Sequence, residues 1–408
     1  VAFPVTLAVM DLYSPRNAWW SSQVPPRIAL ATLAVVGLFG GGYFVAGDRA
    51  DEPWLFLVLG VAIATEAFAV RAFVAIKARG ERAVRPALVV GAGWAGRTVI
   101  DCTLREPRLR VRVAGVIDDD PLKRNVQYKG VAVLGTGETL ADAVARTGAN
   151  LVILAVSQAQ NAELIKNLLK LKMGGVEVLD MPEFVERATG QIPIKHVEDS
   201  WFLYSGGFEL LHRPWLQRFK RAFDVVAAGA GLVLSLPLMG IVAVLIKLDS
   251  RGPVFFRQER TGQGEVPFEL IKFRSMRDDA EKGSGPVWAG VRDYRVTRLG
   301  RWLRLTRLDE IPQFINVLRG EMSFIGPRPE RPFFVEKLSR EIPYYALRFA
   351  VKPGLTGWAQ VEFRYGASVE DAMEKLKYDL YYIKNMSWRL DLFIALKTLK
   401  VVFFAQGN

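Results

Sequence analysis

From Arg295 an arginine returns at every third position, at Arg298, Arg301, Arg304 and Arg307, and the run ends in Leu308-Asp309-Glu310-Ile311-Pro312. Two adjacent carboxylates inside so much positive charge suit phosphate chemistry, with one attacking a phosphorus and the other holding a divalent cation. Mg²⁺ is the natural hard cation for oxygen ligands beside a pyrophosphate. Pro312 has no N–H and fits the first turn of a helix, so Asp309 and Glu310 are expected at that helix's N-terminal end, where the dipole favours a phosphate. An acid pair at a helix start can also be a plain dipole partner, and spacing leaves both readings open. A step of three drifts about 60° on an α-helix, so the five arginines cannot share one face. Part of the run suits lipid headgroups, and Gly300 is expected to interrupt it.

The remaining residue types narrow the chemistry. The 408 residues contain one cysteine, Cys102, and two histidines, His196 and His212. No internal disulfide and no Cys/His metal cage can form. Beyond His212 neither type recurs, so chemistry there must run on Asp, Glu, Lys, Arg, Ser, Thr or Tyr. The formal charge is +12, and from Trp201 onward 32 Lys and Arg stand against 22 Asp and Glu. Such a half wants an anionic partner: a phosphorylated substrate, an acidic lipid or nucleic acid. No exposed aromatic or groove-reading motif accompanies the charge, so nucleic acid is not an expected partner.

Three apolar stretches bear on where this chemistry is held. Residues 28–46 and 54–70 are long enough to cross a bilayer and read as a transmembrane hairpin. Residues 1–10 resemble the tail of a further helix lacking its beginning. The second run exits into Arg71, Lys77, Arg79, Arg82 and Arg85, which places the downstream chain in the cytoplasm by the positive-inside tendency. The third stretch, residues 225–248, has basic residues at both ends and Pro237 at its middle. Pro237 removes a backbone donor, so the favoured reading is a re-entrant helix–break–helix that enters and leaves by one face. The alternative is a kinked span.

Between these regions, residues 86–96 read P-A-L-V-V-G-A-G-W-A-G, a buried strand entering Gly91, Gly93 and Gly96. A second strand over 111–117 ends at Asp118, as in a dinucleotide fingerprint. Further strands are expected at 151–156 and 176–179, giving an open Rossmann-like sheet. The glycines suit a nucleotide pyrophosphate or tight strand-to-helix packing alone. No Tyr-x-x-x-Lys follows, so a nicotinamide sugar epimerase would lack its proton-transfer pair.

From Phe219 onward the chain closely resembles the bacterial sugar transferase family, the monotopic phosphoglycosyl transferases. The resemblance rests on K-R-A-F-D at Lys220, I-K-L-D-S-R-G-P-V-F-F-R-Q-E-R from Ile246, K-F-R-S-M from Lys272, T-R-L-D-E-I-P-Q from Thr306, G-P-R-P from Gly326 and K-P-G-L-T-G-W-A-Q from Lys352. The preceding regions resemble those of the long, hexose-1-phosphate-transferring members. The resemblance implies that hexose 1-phosphate passes from a UDP-hexose to polyprenyl phosphate, with Asp309 as nucleophile and UMP leaving. It implies Glu310 and Asp379 as Mg²⁺ contacts, Lys272, Arg304 and Arg328 as phosphate or nucleotide contacts, and a homodimer in the bacterial inner membrane, its catalytic domain on the cytoplasmic face. Family members often break the re-entrant helix at Ser-Pro, whereas here Leu236 precedes Pro237.

The expected fold class is a mixed membrane protein: transmembrane helices over 1–79, a cytoplasmic Rossmann-like α/β domain over 80–200, and an α-rich catalytic domain over 201–408 with a re-entrant helix at 221–249. The rival reading is a nucleotide-sensing membrane regulator or scaffold of a polysaccharide export system, which would release no UMP.

Overall fold

The computed structural model describes residues 84–403, apart from 125, 157–161, 209–210, 212, 278–294, 364–365 and 367. The hairpin expected at 28–46 and 54–70 lies outside the described residues. Among those described, one compact unit ends at Ser205 and the other begins at Gly206.

The first unit is a parallel sheet covered on both faces. Strands β1 (Arg85–Val90), β2 (Val111–Ile117), β3 (Gln127–Tyr128), β4 (Val131–Gly135), β5 (Leu151–Leu154) and β6 (Glu177–Asp180) lie in the order β3-β4-β2-β1-β5-β6. Only the β3–β4 pairing is antiparallel. Ala87 and Val89 of β1 face one core with helices α1 (Trp94–Arg105) and α4 (Met181–Thr189). Leu88 and Val90 face the other, with α2 (Leu140–Thr147) and α3 (Ala162–Met173). Burial on both sides is why β1 reads as an unbroken apolar run instead of alternating.

The glycine loop after β1 divides by position. Gly91 has φ +108°, and a Cβ on Gly96 would stand 1.9 Å from the Gly91 carbonyl oxygen, so α1 can start against the strand only with glycine there. A Cβ on Gly93 would meet nothing within 4 Å. Asp118, the acid of the dinucleotide fingerprint, accepts from the backbone N–H of Ala92 (2.6 Å) and of Asp120 (2.9 Å) and from Lys123 Nζ (3.2 Å). Burial opposes its charge, but these donors outweigh burial and hold its carboxyl below the usual range. In this structure the acid secures the glycine loop.

The second unit is α-rich. Its long helix α5 (Pro214–Asp249, 36 residues) precedes a hairpin of β7 (Phe255–Thr261) and β8 (Pro267–Phe273). Helices α6 (Arg298–Leu305) and α7 (Gln313–Arg319) follow, then the short parallel pair β9 (Ser323–Ile325) and β10 (Gly354–Thr356), separated by α8 (Pro332–Glu341). The chain continues through α9 (Trp358–Glu362), α10 (Val369–Lys384) and α11 (Trp388–Phe403).

Helix α5 corrects the expectation of a break: it runs continuously with Pro237 inside it. One proline removes a single intrahelical bond and strains one turn, and the apolar residues on either side favour helix. Near the proline, Ser235 Oγ donates to the Leu232 carbonyl. Ala228, Met239, Val242 and Ile246 form a buried stripe at helical spacing, while Val226, Leu234 and Leu248 are 70%, 82% and 78% exposed. Among the described residues α5 is the one helix long and apolar enough to cross a membrane.

Polar contacts tie α5 to the body. Arg221 donates to the Val317 and Leu318 carbonyls at the end of α7 (2.6 and 2.7 Å), where a cation favours a helix C-terminus. Lys220 pairs with Asp391 on α11 (2.9 Å), and Asp224 Oδ1 accepts from Ser323 Oγ and the Phe324 N–H. Arg274 donates to the Ser250 and Arg251 carbonyls just past α5. A Cβ on Gly231 would stand 2.9 Å from the Phe314 ring, so α7 packs closely on α5 there.

The glycine geometry gives a local prediction. Gly96→Ala forces a methyl into backbone and should weaken the first unit by about 1–3 kcal/mol, whereas Gly93→Ala should change it by less than about 0.5 kcal/mol. Hydrogen exchange at the β1 and α1 amides measures both. Equal protection in the two variants would contradict the packing role of Gly96.

Candidate active site

The acid pair is placed by a change of helix type. Thr297 Oγ1 accepts from the Gly300 N–H and caps α6. Gly300 does not interrupt the arginine run as expected. It lies inside α6, and a Cβ there would meet the Ser275 carbonyl oxygen at 2.0 Å, so the glycine lets the helix cross that backbone. After α6, Arg307 takes a left-handed conformation, φ +59°. That conformation disfavours a side chain by about 1–2 kcal/mol. It turns the chain into a single 3₁₀ turn, Leu308–Glu310, carrying both acids. Pro312 is the N-cap of α7. The dyad therefore sits one turn before the helix, not in its first α-helical turn as the proline had implied.

Arginines separate the two neighbours electrically. Glu310 Oε1 accepts from Arg328 (2.7 Å) and Arg307 (3.3 Å). Burial works against its charge, but those cations outweigh burial and hold Glu310 well below the usual carboxylate range. Asp309 is 7% exposed, and its Oδ1 is buried with no hydrogen-bond partner. Burial, then the adjacent Glu310 charge, raises Asp309 to about 6, against the pull of Lys272, Arg304 and Arg328. One acid is thus locked as an anion, and the other carries a free oxygen and greater basicity.

The expected phosphate contacts gather around this pair. Lys272, on β8 opposite Phe256, holds its ammonium 5.2 Å over that ring. Burial, and then Arg260, lowers it to about 8 despite Asp309. Arg304 Nε donates to Ser275 Oγ (2.9 Å), and its charge is felt at Asp309. Arg328 NH1 donates to Gln360 Oε1 (3.2 Å) while NH2 holds Glu310. Gly91, Gly93, Gly96 and Asp118 belong to the other unit.

Asp379 does not join the dyad as a third carboxylate. Among the described residues no group of three His, Cys, Asp or Glu is placed to hold a metal. Asp379 is 2% exposed, and its Oδ2 accepts from Arg348 (2.9 Å). Arg348 also donates to the Arg328 carbonyl (3.0 Å) and to Tyr345 OH (2.5 Å). The buried acid needs a cation because burial raises its carboxyl to about 6, and the nearest one positions the backbone of Arg328.

Asn316 and Gln360 are positions beside the site to which the sequence assigned no role. Asn316, fully buried on α7, receives the Ile271 N–H (3.0 Å) and donates to the Glu269 carbonyl (2.7 Å), clamping α7 to the strand that carries Lys272. An asparagine amid the apolar residues of I-N-V-L is a poor helix former, and that conflict was its signal. The glycine motifs support Gln360: a Cβ on Gly357 would meet the Gly326 carbonyl oxygen at 2.1 Å, so G-P-R-P and G-W-A-Q meet backbone to backbone.

Two family models divide the chain. Residues 215–405 match the bacterial sugar transferase model and residues 9–182 a CoA-binding domain model. The chain is 42% identical over 240 residues to a UDP-N-acetylgalactosamine-undecaprenyl-phosphate N-acetylgalactosaminephosphotransferase of Aeromonas hydrophila, covering 59% of this chain and 55% of that protein. It is 45% identical to a UDP-glucose:undecaprenyl-phosphate glucose-1-phosphate transferase of Caulobacter vibrioides, covering 44% of this chain and 67% of that one. An exopolysaccharide production protein of Rhizobium leguminosarum is 40% identical over 44% of this chain and 92% of its own length. The chain spans about half the length of the Aeromonas relative.

The Arg348–Asp379 pair can be tested apart from activity. Asp379→Ala leaves a buried guanidinium uncompensated and should destabilise the second unit by about 3–5 kcal/mol, with Asp379→Leu/Arg348→Met recovering part of the loss. Thermal unfolding in detergent gives the order of the variants. Wild-type stability in Asp379→Ala would contradict the pairing.

Proposed function

The chain belongs to the bacterial sugar transferase family, and we propose that it transfers a hexose 1-phosphate from a UDP-hexose to undecaprenyl or another polyprenyl phosphate, releasing UMP. The observation that carries this reading is the split dyad: a buried aspartate with an unpartnered oxygen beside a glutamate fixed as an anion by two arginines.

In the first step an Asp309 oxygen attacks the phosphorus that bears the sugar. The bond from that phosphorus to the bridging oxygen breaks, and UMP leaves with the electron pair. An oxygen of polyprenyl phosphate then attacks the same phosphorus, the aspartyl bond breaks, and polyprenyl diphosphate hexose departs. The sugar–oxygen bond survives both steps. Lys272, Arg304 and Arg328 supply fixed positive charge where phosphate oxygens gather, which needs no reorganisation during reaction. A charge on Arg328 also keeps Glu310 ionised beside a second acid.

The donor set fits Mg²⁺. Glu310 Oε1 is taken by arginines, which leaves Oε2 and Asp309 Oδ1 as oxygen acceptors, and Mg²⁺ commonly binds through one or two carboxylates with substrate phosphates. Glu310, with Asp309, would hold the ion, which when bound would neutralise pyrophosphate charge. Asp379 Oδ2 is taken by Arg348, so Asp379 would add to that site only through its other oxygen.

The exposed apolar faces of α5 suit a lipid bilayer, and the basic residues that follow the 54–70 stretch, Arg71 to Arg85, support an inner-membrane location with the active site on the cytoplasmic face. The lipid acceptor is then within reach of the dyad. Priming of exopolysaccharide or O-antigen synthesis is the corresponding role.

UMP release should therefore be measured with UDP-glucose and UDP-N-acetylgalactosamine, in the presence of undecaprenyl phosphate and Mg²⁺. Asp309→Asn keeps size and removes the nucleophile, so both UMP and lipid product should fall at least about a thousandfold while UDP-sugar binding persists. Near wild-type turnover in folded Asp309→Asn protein would overturn the covalent route.

A further inference from the structure

Gln360 closes a polar chain that begins at the catalytic acid. Asp309 adjoins Glu310, Glu310 Oε1 is held by Arg328 NH2, and Arg328 NH1 donates to Gln360 Oε1. Guanidinium carries donors only, so the amide atom facing it must be the oxygen. That fixes the orientation of the side chain and turns Nε2 away from Arg328. Gln360 Nε2 is buried and has no hydrogen-bond partner.

A buried donor without a partner is disfavoured by about 1–3 kcal/mol. Native structures keep such groups where something else completes them. The two ends of the chain are complementary: an unpartnered acceptor at Asp309 Oδ1 and an unpartnered donor at Gln360 Nε2. Between them lie the arginine and glutamate that a phosphoryl group would meet. Packing leaves Gln360 little freedom, since its helix α9 starts at Gly357, which lies against Gly326 without room for a side chain.

We propose that Gln360 is a substrate-binding residue: its Nε2 donates a hydrogen bond to an oxygen of the transferred sugar phosphate while its Oε1 orients Arg328. This rests on the transferase reading given above. The acceptor is either a phosphoryl oxygen or a sugar hydroxyl, which share the same chemistry. A residue that only braced Arg328 would need Oε1 and nothing more.

Gln360→Glu separates the two roles. The substituted carboxylate keeps the shape and accepts from Arg328 at least as well, but it cannot donate when ionised. Measuring it in an Asp309→Asn background blocks turnover during calorimetry. Because the carboxylate adds one negative charge relative to that background, Asp309→Asn/Gln360→Met, which is neutral there and cannot donate either, is measured beside it, and a loss confined to the glutamate variant would be repulsion and would overturn the proposal. The probe is UDP-glucose or UDP-N-acetylgalactosamine, whichever the wild type turns over, with UDP as a second probe.

Asp309→Asn/Gln360→Glu should bind the UDP-sugar about ten- to a hundredfold more weakly than Asp309→Asn alone, the range for a hydrogen bond to a polar or charged group. Weakened UDP binding as well would identify a phosphoryl oxygen, and unchanged UDP binding a sugar hydroxyl. Equal UDP-sugar affinity in the two proteins would overturn the proposal and leave the transferase reading standing. Failure of the wild type to bind or turn over either UDP-sugar would overturn that reading and this one with it.

Discussion

The ion pair between Arg328 and Glu310 is the interaction on which the site depends. Two adjacent carboxylates in a partly buried turn cannot both be ordinary anions, because each raises the other's pKa and burial raises both. Arg328, at 2.7 Å and assisted by Arg307, assigns the charge to Glu310 and leaves Asp309 the more basic member. Its own position is fixed from three sides: Gln360 holds one nitrogen, Glu310 another, and Arg348 holds its backbone carbonyl. Arg348 in turn is balanced by Asp379. A residue far along the chain thereby helps to position the arginine that holds Glu310.

A second constraint is mechanical. Helix α5 leaves most of its apolar surface outside the protein, and one buried stripe, Ala228, Met239, Val242 and Ile246, packs it against the body. Polar ties at Lys220, Arg221, Asp224 and Arg274 add to that packing, and two of them end on the helices and strands that frame the dyad. Because Arg221 caps the very helix that follows the acid pair, the position of an apolar helix and that of Asp309 are linked through one guanidinium.

Local pattern and motif carried much of this. The run A-L-V-V indicated a strand buried on both sides, and Asp309-Glu310 stood out because no histidine or cysteine competed for the chemistry. The hidden features depended on long-range partners. Arg274 and Arg221 stand in motifs of the basic half without a partner in sight, and the fold shows them capping helix ends 24 and 96 residues away. Asp379 reads as a metal ligand in sequence, and the Arg348 that pairs with its Oδ2 is visible only in the fold. Pro237 suggested a break, but a proline disturbs one turn and its neighbours decide whether the helix resumes. Gly93 and Gly96 are alike in sequence, and only the closeness of the Gly91 carbonyl makes one of them obligatory.

The central claim is that Asp309 takes the sugar phosphate before any lipid acceptor is involved. Rapid-quench measurement of UMP from UDP-sugar and Mg²⁺, with enzyme stripped of endogenous polyprenyl phosphate, tests it most directly. The account predicts a burst of UMP approaching one equivalent per active site, followed by little further release until undecaprenyl phosphate is added. UMP that forms only when the acceptor is present, with no burst in its absence, would contradict the aspartyl intermediate and favour direct transfer between the two substrates.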